Sequence, residues 1–153
     1  STANNTTPAI IRMEGATNGA GFSHCEVYAV AGISSSTLIS SLTGTGANGF
    51  RMLFEVSATG HTGSAANGFN RYKGYWDGGT NNVYMLEWVR SYDGASNNAD
   101  FGKPPKFSFD TTTTGNRLDI SLQSGDGSNN FNGVVEVKYW VPIDFSGSTY
   151  TTS

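Results

Sequence analysis

Charge is scarce in this 153-residue chain: only 14% of its residues are Asp, Glu, Lys or Arg, and nine basic residues face twelve acidic ones. A net charge of −3, with no basic run, removes the electrostatic footprint that a nucleic-acid-binding surface needs. Helix-forming charged residues are too few for a coiled coil or a long-helix protein. The single cysteine, Cys25, cannot form an internal disulfide, and no Cys/His spacing suggests a metal cluster. No apolar run reaches the roughly 18 residues of a membrane-spanning helix, so membrane insertion is not expected. The chain opens on Ser1 without a leader-peptide pattern, and the expectation is a processed product or an excised domain.

What is abundant points one way. Aromatics make up 12% of the chain and there are 20 glycines, alongside many Ser, Thr and Asn residues. Aromatics at that level supply a core that a solvated tail could not build. Many rings, many turn-formers and few charges suit short strands joined by polar loops. The length fits one domain. The expected organisation is an extended arm or stalk link over 1–8, a β-sandwich over 9–145 and a tail over 146–153.

Alternation locates the strands. His24, Glu26 and Tyr28 share one side of a strand, and Cys25, Val27 and Ala29 the other. Residues 33–42 fit a strand or a short helix. Phe50, Met52, Phe54 and Val56 form one face of the next strand, residues 59–68 read as a hairpin loop, and 69–76 continue as a strand to the turn at Asp77-Gly78-Gly79. Residues 83–92 are apolar on both faces, which predicts a central strand covered on two sides. Pro104-Pro105 forces an extended entry into 106–109. Leu118, Ile120 and Leu122 alternate with Arg117, Asp119 and Ser121, and 134–141 form the last strong strand. About eight strands at ten-residue spacing predict an all-β, antiparallel two-sheet β-sandwich, with a jelly roll preferred over a plain Greek key.

Catalytic and metal chemistry find little footing. His24 and Cys25 are adjacent in a strand and point to opposite faces, so the expected arrangement is a core cysteine and two surface histidines, His24 and His61. The loop opening at Asp126 starts like a calcium loop. It carries Phe131 where a glycine is needed and Val137 where a carboxylate should close the shell. No G-x-S-x-G, Cys–His pair or phosphate-cradling glycine loop occurs. Glu55 and Glu87 are mid-strand acids whose natural partners are Arg51, Arg71, Lys73 or Arg90 on neighbouring strands. No enzymatic activity and no cofactor are expected.

Binding fits better. Tyr75, Trp76 and Asp77 lie where a strand meets a turn. Tyr92 and Asp93, followed by Asn97, Asn98 and Asp100, again set an aromatic against amides and carboxylates. A flat ring that stacks on a sugar, beside polar groups that take its hydroxyls, is how glycans are recognised. Trp88 and Trp140, embedded in strong strands, are expected in the core, and Trp76 at the receptor-facing surface. The surplus of rings, together with the mid-strand charges Arg71, Lys73, Glu136 and Lys138, points to self-association.

The succession FNRYKGYW, turn, VYMLEWVRSY, polar loop, PPKFSFD, RLDISLQS, Asn/Gly loop and GVVEVKYWV resembles the distal head domains of bacteriophage tail fibres and related virion adhesins. It covers roughly residues 22–141 and has the rhythm of C1q/tumour-necrosis-factor jelly rolls. The resemblance implies a homotrimeric virion component, on a tail fibre or capsid surface and otherwise extracellular, that binds a host-surface glycan or protein and contacts other virion components. A monomeric carbohydrate-binding module and a purely structural capsid or head-decoration protein are the alternatives.

Overall fold

The computed structural model describes residues 11–14, 23–45, 51–62, 66–92, 105–111, 116–125, 130–140 and 149–152. Among these residues there is no helix. Ten strands follow in order: β1 (Ile11–Glu14), β2 (Ser23–Ile33), β3 (Thr37–Thr45), β4 (Arg51–Thr62), β5 (Ala66–Asp77), β6 (Asn82–Tyr92), β7 (Lys106–Asp110), β8 (Arg117–Gln123), β9 (Phe131–Trp140) and β10 (Thr149–Thr152). They form a six-stranded sheet, β1-β2-β9-β4-β5-β6, and a four-stranded sheet, β10-β3-β8-β7, with every pairing antiparallel. The two-sheet sandwich is the expected fold class. Its strand order does not confirm a jelly roll: β4, β5 and β6 run as a local meander, β1–β2 and β7–β8 are local pairs, and the chain changes sheet after β2, β3, β6, β8 and β9. Residues 33–42, open between strand and helix in the sequence, end in strand β3.

Period-2 burial builds the core. Met52, Phe54, Val56 and Ala58 of β4 are fully buried beside Val135, Val137 and Tyr139 of β9. Leu118, Ile120 and Leu122 of β8 close on them from the other sheet, each with no solvent exposure. Full burial of such a side chain contributes about 1.5–3 kcal/mol. Three glycines set the spacing by having no side chain. A Cβ on Gly74 would overlap the Phe54 ring, and Gly60 and Gly133 let the β4 and β9 backbones meet closely. The segment 59–68 is therefore mostly ladder rather than loop: β4 and β5 stay paired out to Thr62 and Ala66.

One end of the core is polar. His24 and Glu26 are buried on β2, with His24 Nε2 3.0 Å from Glu26 Oε1. This corrects the expected histidine placement. His24 lies inside, His61 is exposed, and Cys25 is half-buried on the outer face. Burial, reinforced by Glu136, pushes the Cys25 thiol above its ordinary value, which keeps it protonated. Beside His24, Tyr139 donates a hydrogen bond to Ser40 Oγ at 2.9 Å and so ties the two sheets together.

The sheets are unequal in width, and one edge is stitched. Asn70 Nδ2 of β5 donates to the Pro105 carbonyl at 2.7 Å, just ahead of β7. Past the other end of β7, Asn81 Nδ2 donates to the Thr111 carbonyl, and Thr111 Oγ1 donates to the Asn81 carbonyl. Between these ties, Phe107 and Phe109 meet Tyr72 edge-on, and Phe109 also meets Phe54. β7 thus lies beneath β4 and β5, and β6 overhangs it. The expectation of a central, doubly covered strand over 83–92 is corrected: among the described residues β6 is an edge strand, with Tyr84, Met85, Leu86 and Trp88 exposed.

Two predictions follow from this packing. Gly74→Ala pushes a methyl into the Phe54 ring and is expected to cost about 1–3 kcal/mol in urea denaturation. Burial also holds the Tyr139 phenol well above its ordinary value. As pH rises through about 10, the unfolded chain releases that proton and the folded chain keeps it, so stability falls by about 1.4 kcal/mol per pH unit from this group. Thermal melts of Tyr139→Phe are expected to lose less ground than wild type between about pH 9 and about pH 11.

Candidate functional site

Residues that alternate with the core form the outer face of the six-stranded sheet. The ladders set them in rows across the strands. One row runs Trp140 (β9), Leu53 (β4), Tyr75 (β5), Tyr84 (β6), each directly opposite the next. Trp140, Leu53 and Tyr75 are half-buried, and Tyr84 is 49% exposed. The Tyr75 and Tyr84 rings lie 6.2 Å apart, tilted by 38°. Neighbouring strands are about 4.8 Å apart, which puts Trp140 and Tyr75 about 9.6 Å from one another, the length of a disaccharide. The row is an apolar strip on an open sheet face.

Charged groups flank the strip. The next row reads Lys138, Glu55, Lys73, Glu87. Glu87 pairs with Arg71 at 2.5 Å, and Lys138 pairs with Glu136 at 2.7 Å and with Glu55 at 3.9 Å. The Glu136 hydrogen bond raises the Lys138 ammonium above its ordinary value, so it stays cationic. The Lys73 ammonium sits 5.9 Å over the Trp140 ring. On the other flank, Arg51 meets Asp77 at 2.6 Å. Partial burial lifts the Tyr75 hydroxyl, opposed by Arg51, and it remains a neutral donor and acceptor. Glu55 and Glu87, mid-strand acids in the sequence, each belong to an ion pair on this face.

A second aromatic feature lies at the β6 edge. Trp88 is 55% exposed, yet its ring is held firmly. Its indole N–H donates to Asn70 Oδ1 at 2.6 Å, and its face stacks on Tyr72 at 5.7 Å and 8°. Asn70, itself 1% exposed, thereby joins β6 to the start of β7. A bulge between Lys73 and Gly74 shifts the register of β6 and sets Leu86 apart from the pairing.

Of the residues singled out in the sequence, Tyr75 lies in the outer row. Trp76 does not: it is fully buried on the opposite face of β5, where no sugar reaches it. Asp77 is committed to structure, since its Oδ1 accepts from Gly79 N at 2.9 Å and Thr80 N at 3.2 Å as well as from Arg51. Tyr92 pairs with Gly68 near the end of β6. Asp93, Asn97, Asn98 and Asp100 lie outside the described residues, as does the loop opening at Asp126. The roles expected of the tryptophans are exchanged: Trp76 is core, Trp88 is exposed at an edge, and Trp140 is on the outer face. Alternation carried this signal. Arg71 and Lys73 mark the solvent parity of β5 and leave Trp76 inside, and Glu136 and Lys138 mark that of β9 and put Trp140 outside.

No protein family, curated protein or solved structure matches this chain.

The exchange is measurable. Trp76→Ala empties a sealed core position and is expected to cost about 3–5 kcal/mol. Trp88→Ala leaves the buried Asn70 oxygen without its donor and is expected to cost about 1–3 kcal/mol. Chemical denaturation that ranks Trp88→Ala as the more damaging change would refute the placement of the two rings.

Proposed function

We propose that this domain is a non-enzymatic adhesion module that binds a surface glycan along the outer face of its six-stranded sheet. The observation that carries the reading is the Trp140–Leu53–Tyr75–Tyr84 row between two lines of charged side chains. Ring faces take the apolar face of a sugar, and the flanking Arg51, Lys73 and Glu87 are placed to take hydroxyls. The surface is shallow, so each site binds weakly and useful strength comes from several sites acting together. Such a surface suits the virion adhesin that the strand succession resembles, docking a host-surface glycan from a tail fibre or capsid. A carbohydrate-binding module attached to an enzyme would use the same row.

A glycan array followed by calorimetry tests the proposal. Tyr84→Ala and Trp140→Ala are each expected to remove about 1 kcal/mol of stacking, a roughly fivefold rise in Kd, with little change in the melting temperature of Tyr84→Ala. Unchanged affinity in both variants, for a glycan that the wild type binds, excludes this face.

A further inference from the structure

Among the described residues the sandwich has four sheet edges, and they are not alike. β1 and β10 are 4 residues long and β7 is 5, lengths that give a foreign strand little to pair with. β6 is 11 residues and, among the described residues, is hydrogen-bonded to β5 along one side only. Its sequence, NVYMLEWVRSY, contains neither Pro nor Lys, the residues that commonly blunt an exposed edge. Four of the five large hydrophobic side chains exposed among the described residues sit on it: Tyr84 at 49%, Met85 at 45%, Leu86 at 58% and Trp88 at 55%.

We propose that β6 is a self-association strand: two copies of the chain pair β6 with β6, antiparallel about a two-fold axis, and join their six-stranded sheets into one. A second copy fits this edge for three reasons. First, a two-fold contact uses the same edge twice, whereas a head-to-tail ring such as a trimer needs a second edge of comparable length, and the other three are short. Second, Glu87, the carboxylate on β6, is already neutralised by Arg71 in its own chain. With Trp88 at the axis, Glu87 falls opposite Val89 of the copy rather than another acid. Third, the area suffices. Met85, Leu86 and Trp88, about half exposed on each copy, present roughly 700 Å² in total, and the paired backbone and flanking side chains bring this to about the 1,000 Å² that a specific interface needs, while Tyr84 stays on the outer row.

A two-fold axis perpendicular to the joined sheet keeps both outer faces on one side. The two aromatic rows then point the same way, which is the geometry avidity requires. The pairing rests on the edge alone and stands whether or not the outer row binds a sugar.

Sedimentation velocity and light scattering over a range from about 1 to about 100 μM, without any glycan, read the assembly. The expected species at the upper end has the mass of two chains. Leu86→Lys and Met85→Lys, made separately, place a charge on exposed edge positions. Each is expected to weaken dimerisation at least about tenfold while leaving the monomer's circular dichroism and denaturation midpoint unchanged. Hydrogen exchange supplies the location: β6 amides directed away from β5 are expected to gain protection as concentration rises, and those bonded to β5 to change little. A wild type that stays monomeric, a species of three chains, a dimer untouched by both lysine variants, or protection appearing on β1, β7 or β10 instead would each overturn the proposal.

Discussion

The mismatch in width between the two sheets governs the rest of this molecule. Six strands on one side face four on the other, and β7, the last strand of the narrower sheet, ends beneath β4 and β5. β6 therefore projects past its cover. Had a fifth strand continued beyond β7, Trp88 and Met85 would be core residues. Because none does among the described residues, the apolar pattern of β6 meets solvent, and the overhang is anchored by other means.

Asn70 provides the anchor. One buried amide accepts from the Trp88 indole and donates to the Pro105 carbonyl, so the overhanging strand and the entry to β7 are fixed through a single side chain. The stack of Trp88 on Tyr72, and the edge-on contacts of Tyr72 with Phe107 and Phe109, continue that connection into the core. The result is a ring that is exposed and nevertheless immobilised, a state that loses little conformational entropy when something covers it. The outer row obeys a different logic. Its residues stand directly opposite one another on adjoining strands, held in register by the ladder and bordered by ion pairs that balance one another in sign. Within the same sheet, we propose protein association for the edge and a glycan for the face.

Much of this was legible in the residues. The alternation of Leu118, Ile120 and Leu122, or of Val135, Val137 and Tyr139, could only be a half-buried strand, and both trios are buried as their spacing demands. The charges at Arg71, Lys73, Glu136 and Lys138 labelled the solvent face of two strands and, followed one residue further, would have separated Trp76 from Trp140. The edge position of β6 was not legible. An apolar run with both parities filled reads the same whether it is covered on two sides or projects beyond its partner. The Leu86 bulge also breaks the alternation on which such a reading depends.

The amino-acid sequence by itself determined the class of fold: scarce charge, frequent turn residues and period-2 rings leave an antiparallel sandwich as the way to bury this composition, because each strand must send every second side chain inward. Which strands lie side by side was decided only in three dimensions. Register and sheet order are long-range choices, made by hydrogen bonds between residues far apart in the chain, and local pattern carries no record of them. That is why the rings could be counted from the sequence while their neighbours, and hence the candidate surface, emerged only once the ladders were in place.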